Sequence, residues 1–250
     1  MAMKVWDSCD ETKKGNLTLH HIGLAAYPKR IVKNKILNKD AVSFLKSLDD
    51  DSIDIAFVDP PYNVGKKYGL GINDNLPDDE FEQLMKNVIK EFRRVTKRGF
   101  AFYLDWKQYQ KFWNWIPDAE PIIIFKRSSG VVYSPLKIVQ HHHVILTTAP
   151  AIKKQCKSLW DDIRVMGEGY FFREERFDHP AQTSLKATRR YIEYFTEEGE
   201  TVLDCFMGVG TTATAAKLEG RNYIGSELNK EFIDRANRRI KNTSRQEELF

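Results

Sequence analysis

Cysteine is scarce and poorly placed for a structural role. The three thiols, Cys9, Cys156 and Cys205, form no CxxC spacing and leave an odd count in 250 residues. That argues against a disulfide framework and a thiolate zinc site, and for a reducing compartment. Long apolar runs are also missing, and residues 1–15 hold no continuous apolar segment of the secretory kind. The expectation is a cytoplasmic protein with no membrane partner. Internal repeats, low-complexity tracts and Pro/Ser-rich linkers are lacking too, so one α/β domain is expected across residues 1–250. Histidine occurs in contiguous groups, His20-His21 and His141-His142-His143, whose side chains do not readily converge on one ion, and no metal site is expected. A net charge of +4 tilts only weakly toward an anionic partner.

What is present begins with the apolar run Ile53-Asp54-Ile55-Ala56-Phe57-Val58, followed by Asp59-Pro60-Pro61-Tyr62. The run has the composition of a buried strand, and two prolines forbid its continuation. A carboxylate, a proline carbonyl and an aromatic ring are thereby held at the strand's carboxyl end, where parallel sheets place their ligands. A shorter strand, Ile36-Leu37, precedes Asp40. Phe81, Leu84, Met85, Val88, Ile89, Phe92 and Val95 recur at helical spacing, and Lys97-Arg98-Gly99 is expected to close that helix. Strands are expected at Phe100 to Leu104, Ile122 to Phe125 and Val144 to Leu146, with a helix from Trp106 to about Trp115. A glycine-bearing loop, Asn63 to Asp79, carries Lys66 and Lys67 beside the candidate site.

Further on, the strand Thr201-Val202-Leu203-Asp204-Cys205 opens into Phe206-Met207-Gly208-Val209-Gly210-Thr211-Thr212 and a helix of small residues, Ala213 to Leu218. Gly208, Gly210 and Ala213, with Glu227 at the tip of the next strand, satisfy a nucleoside-binding fingerprint. The glycines admit close backbone approach, and the acid suits ribose hydroxyls. NAD and S-adenosyl-methionine both fit this loop. Asp204 favours the second, because a carboxylate there attracts a methionine ammonium and would repel a pyrophosphate.

Between these two halves, Lys153, Lys154, Lys157, Arg164, Arg173 and Arg176 alternate with Trp160, Tyr170, Phe171 and Phe172. Cations interleaved with rings suit a nucleic-acid surface, charge meeting phosphates and rings meeting bases. A solvated loop packed by its own aromatics fits this segment equally well.

Taken together, Asp59-Pro60-Pro61-Tyr62-Asn63 and Asp204 to Thr212 resemble the amino-group DNA methyltransferases with DPPY-type and FxGxG-type motifs. The catalytic motif comes first, which is similar to the circularly permuted β group of that family. His179-Pro180-Ala181-Gln182 resembles the HPxQ element that lies against the cofactor's methionine part. The family's element continues as Lys-Pro, and this chain departs from it with Thr183-Ser184. The resemblance implies a Rossmann-like class I methyltransferase fold, a mostly parallel sheet with helices on both faces. It divides the chain into a catalytic half at about 36–150, a short target-recognition segment at about 151–178 and a cofactor-binding half at about 179–240.

By the same resemblance, Asp59, Pro60, Pro61 and Tyr62 are the catalytic set. Asp40, Asp204, Phe206, Gly208, Gly210, Thr211, Thr212, Glu227, His179 and Gln182 bind S-adenosyl-methionine, with Asp40 at the adenine and Glu227 at the ribose. Lys66 and Lys67 join the basic residues of 153–176 as candidate DNA contacts. The expected reaction is methylation of adenine N6 in double-stranded DNA with the base flipped from the helix, and the aspartate that heads the motif leans toward adenine. Cytosine N4 is the alternative, with RNA methylation and NAD-dependent oxidation more distant. No cysteine follows a proline, as a ring-carbon enzyme of the Pro-Cys type requires. A homodimer and a cognate restriction endonuclease are further expected partners.

Overall fold

The computed structural model describes residues 32–65, 74–125, 142–153, 156–163 and 183–243. In chain order the elements are β1 (Lys35–Asn38), α1 (Ala41–Lys46), β2 (Ile55–Val58), α2 (Asp78–Val95), β3 (Phe100–Leu104), α3 (Trp106–Trp115), β4 (Glu120–Phe125), β5 (His142–Thr147), β6 (Leu159–Trp160), α4 (Leu185–Phe195), β7 (Thr201–Asp204), α5 (Thr211–Leu218), β8 (Asn222–Glu227) and α6 (Lys230–Asn242). The strands form one sheet in the order β1-β8-β7-β2-β3-β5-β4-β6. Every pairing is parallel except those of β5 with β3 and β4. None of the described helices is long and apolar enough to cross a membrane.

The strand alternation sorts the core into two layers. Ile55, Phe57, Ala101 and Tyr103 face the side packed by α4, α5 and α6, where Tyr191, Phe195, Ala213 and Ala236 are buried. Ala56, Val58, Phe100, Phe102 and Leu104 face the side packed by α1, α2 and α3. All four residues of β2 are buried, as a central parallel strand covered on both faces requires. Phe92 meets Phe100 and Phe102 at ring-centroid distances of 5.4 and 5.7 Å, and Phe102 meets Phe112 at 4.8 Å. These offset and tilted contacts tie α2 and α3 to β3.

Two expectations from the sequence are corrected. Helix α2 ends at Val95 rather than at Lys97-Arg98-Gly99, because the chain beyond it pairs with residue 53. The Ile53 amide donates to the Val95 carbonyl at 3.0 Å, and the Lys97 amide to the Ile53 carbonyl at 2.8 Å. Gly99 is needed for close approach, since a Cβ there would lie 2.7 Å from the Thr148 hydroxyl. The second correction concerns Trp160, grouped with the basic and aromatic segment. Leu159–Trp160 is an edge strand paired with Ile123 and Ile124. The Trp160 indole is buried and covered by the Arg190 guanidinium at 5.5 Å.

One further glycine is dictated by packing. A Cβ on Gly225 in β8 would overlap both the Asp204 carbonyl and the Met207 side chain, so strand and loop close only without it. Gly225→Ala is expected to lose about 2–3 kcal/mol of stability, read from the urea midpoint; an unchanged midpoint contradicts this packing.

Candidate functional site at the carboxyl ends of the strands

Strands β1, β8, β7 and β2 are neighbours and run parallel, and each ends in an acid or leads directly to one: Asp40, Glu227, Asp204 and Asp59 respectively. The connection from β7 to β8 runs through α5 on one face, and that from β2 to β3 through α2 on the other. The crossovers diverge between β7 and β2, which opens a crevice where open α/β sheets bind ligands.

On the β2 side, Pro60 and Pro61 end the ladder and leave Asp59 and Tyr62 half-buried. The Tyr62 hydroxyl donates to Asp59 Oδ1 at 2.7 Å, with the Tyr103 carbonyl as a second acceptor at 3.1 Å. The Thr183 hydroxyl donates to Asp59 Oδ2. Desolvation, and then the charge of Asp59, push the Tyr62 phenol well above its ordinary pKa and keep it a neutral donor.

The backbone of the turn is fixed by Asn63 and by two residues outside the motif, Gln108 and Asp74. The Gln108 side-chain amide donates to the Tyr62 carbonyl. Asn63 takes a left-handed conformation, φ 55°, exchanging side-chain hydrogen bonds with the Leu76 backbone at 2.9 and 2.7 Å. Buried Asp74 accepts from the Asn63 and Val64 amides at 2.9 and 3.3 Å. Asparagine's tolerance of positive φ is the one sequence signal here. Asp74, Gln108 and Thr183 carry no local signal, because each acts on a distant partner.

On the β7 side, Asp204 is 3% exposed and accepts the Phe206 amide at 2.9 Å. Burial pushes its carboxyl up to about 7, against hydrogen bonds from Thr212 and Phe206, and the charges of Asp59 and Glu227 add to the rise. Phe206 is half-buried against the core. Gly208 and Gly210 both have positive φ, 50° and 81°. The Gly208 amide donates to Glu227 Oε2 at 2.8 Å, and the Asn229 amide to Oε1 at 2.8 Å. Burial also raises the Glu227 carboxyl. Buried Arg239 steadies the loop, donating to Thr211 Oγ1 at 3.0 Å and to the Val209 carbonyl at 3.4 Å. On the outer side, exposed Asp40 caps α1 by accepting the Ser43 amide at 2.8 Å, and that bond lowers its pKa.

The fold thus brings together Asp40, Asp59, Pro60, Pro61, Tyr62, Asp204, Phe206, Gly208, Gly210, Thr211, Thr212 and Glu227. His179, Gln182, Lys66, Lys67, Lys154, Arg164, Arg173 and Arg176 lie outside the described residues. Of the remaining basic candidates, Lys153 pairs with Glu193 at 2.7 Å, and Lys157 is exposed just before β6 at the far edge of the sheet. His143 packs against Tyr103 with ring centroids 5.0 Å apart in a tilted contact.

Asp59, Asp204 and Glu227 converge on one crevice and favour a cation there, and Asp204 carries the energetic signature. Its carboxyl is favoured as the neutral acid in the folded chain, so wild-type stability falls as pH rises from the unfolded value of 3.8 through about 7. Asn mimics the neutral acid. Asp204→Asn is therefore expected to be more stable than wild type by about 2–4 kcal/mol at pH 8 and by little at pH 4, measured by urea unfolding. A difference that does not grow with pH contradicts this burial.

Comparison with known proteins assigns the chain. A family model described as DNA methylase, of the N6/N4 methyltransferase type, matches residues 53–116 and 108–238. The DNA adenine methyltransferase YhdJ of Escherichia coli is 27% identical over 82% of this chain and 82% of its own length. The type II methyltransferase M.BglII of Bacillus subtilis is 27% identical over 84% of this chain and 69% of its own. Among solved structures, the PvuII DNA methyltransferase (cytosine-N4-specific) superposes with a TM-score of 0.64 at 18% identity, covering 84% of this chain and 88% of its own. The M1.HpyAVI-SAM complex gives 0.61 at 22% identity, covering 82% and 98%. With its strand ends, glycine loop and family match in agreement, the chain belongs to the N6/N4 DNA methylase family, the DNA methyltransferases that act on exocyclic amines.

Proposed function

We propose that this protein transfers a methyl group from S-adenosyl-methionine to N6 of adenine in double-stranded DNA, with the catalytic half ahead of the cofactor half in a permuted order. The observation that carries the reading is the convergence of Asp59, Asp204 and Glu227 between β2, β7 and β8. The residues fit this cofactor. Asp204 would receive the ammonium, Glu227 the ribose hydroxyls and Asp40 the adenine side, while Gly208 and Gly210 turn the loop at positive φ and Gly210 lets it close on Ala236 of α6. A dinucleotide would instead bring phosphates against buried Asp204. When bound, the cofactor would supply an electrophilic methyl on a sulfonium, from which a neutral thioether departs as the N–C bond forms, the nitrogen losing one proton to solvent.

The chain's own residues prepare the amine. The exocyclic nitrogen of adenine is a poor nucleophile because its lone pair is delocalised into the ring. Asp59 and the Pro60 carbonyl accept its two N–H bonds, favouring the pyramidal nitrogen that attacks. Their rigid turn holds that geometry before the substrate arrives. Tyr62 stacks on the flipped base. Direct transfer then needs orientation rather than a covalent intermediate. Adenine is favoured by the aspartate at the head of the motif and by the likeness to the E. coli adenine enzyme. The type II relatives support a place in restriction-modification with a cognate endonuclease. A second protomer would add DNA-reading surface to the short segment 151–178.

The test is to incubate the protein with DNA and methyl-labelled cofactor, digest to nucleosides and identify the modified base by mass. N6-methyladenine is expected. N4-methylcytosine reassigns the base, and label absent from DNA overturns the reading. Asp59→Ala is expected to lose at least ~10³-fold in turnover while cofactor affinity changes by less than about fivefold; near-normal turnover removes Asp59 from the chemistry.

A further inference from the structure

The Asp59 carboxylate is held from two directions. Oδ1 takes the Tyr62 hydroxyl from within the turn, and Oδ2 takes the Thr183 hydroxyl from the start of α4. Thr183 stands immediately before Ser184, the N-cap of α4, whose side chain accepts the Ala187 amide. That cap is buried and doubly tied, with the Thr188 amide and hydroxyl both donating to the Ser184 carbonyl at 3.1 and 2.9 Å. The helix behind it is fixed to the sheet through Tyr191, which shares a hydrogen bond with Thr147 at 2.7 Å and packs on Phe57 at 4.8 Å. The Thr183 hydroxyl is therefore presented by a rigid, buried helix start.

We propose that Thr183 is a positioning residue that fixes the orientation of the Asp59 carboxylate through a neutral hydrogen bond. The inference rests on the reading of Asp59 as the acceptor for the target amine. A carboxylate oxygen accepts more than one hydrogen bond, so the hydroxyls of Tyr62 and Thr183 are compatible with an amine N–H, and a carboxylate held by both no longer turns freely about its last bond. Threonine does this without a charge. The hydroxyl is a neutral donor, so it orients the carboxylate without itself adding a positive charge. Gln108 and Tyr62 fix the turn backbone, and Thr183 fixes the functional group it carries.

Thr183→Val keeps the side chain's shape and removes the donor, and Thr183→Ser restores the donor. Valine is expected to lower kcat ~10–100-fold, with the KM for DNA and the Kd for cofactor within about twofold of wild type. Serine is expected to recover kcat to within about threefold. Independently of activity, NMR titration of isotope-labelled aspartate carboxyls in the ligand-free protein should show Asp59 titrating at higher pH in Thr183→Val than in wild type or Thr183→Ser, because a donor to the charged form is lost. Unchanged kcat together with an unchanged Asp59 titration in the valine variant overturns the proposal, as does a serine variant as impaired as the valine one. If wild-type protein methylates no DNA, the functional reading fails, and the titration still decides the Thr183 contact by itself.

Discussion

A buried carboxylate with no cationic partner among the described residues is the constraint around which this structure is arranged. Asp204 ends a central strand at 3% exposure, with other acids at the ends of the strands on either side. Burial and those neighbours hold its carboxyl at about 7. The charged form of such a group is unfavourable where it is buried and is relieved by a positive charge. The surrounding packing maintains the position instead of relaxing it. Gly225 lets β8 close on the Asp204 backbone, Arg239 grips the loop beyond it, and the Glu227 carboxylate ties the Gly208 and Asn229 amides.

The second half of the site is built by different means. The hydroxyls of Tyr62 and Thr183 donate to Asp59, and the turn is held by side-chain amides from Gln108 and Asn63 and by the carboxylate of Asp74. The β7 side is thus poised for a cation, and the β2 side offers oriented acceptors for N–H groups. Both are brought to one crevice because α5 and α2 leave the sheet on opposite faces. The two chemistries meet without a shared loop, so each has its own supports.

Much of this was legible in the sequence, and the reason is local. The run ending in Asp59-Pro60-Pro61-Tyr62, the glycine loop after Asp204 and the strand tip at Glu227 each announce themselves within a few residues, since prolines, glycines and apolar runs act on their own backbone. What escaped was long-range. The end of α2 is set by pairing with Ile53, some forty residues earlier, which outweighs the glycine at position 99. Trp160 belongs to the sheet because β4 offers it an edge. Thr183, Asp74 and Gln108 matter through partners 124, 11 and 46 positions away, and no spacing rule connects them.

The β7 side is a carboxylate site whose buried Asp204 favours a positive charge. Calorimetric titration with S-adenosyl-methionine at pH 6, in buffers of different ionisation enthalpy, tests it most directly. The cofactor's own amino group is fully protonated there, so any net proton change belongs to the protein. Ionisation of Asp204 against the bound ammonium predicts release approaching one proton per molecule bound. Binding with no proton release, or with uptake, would contradict the account.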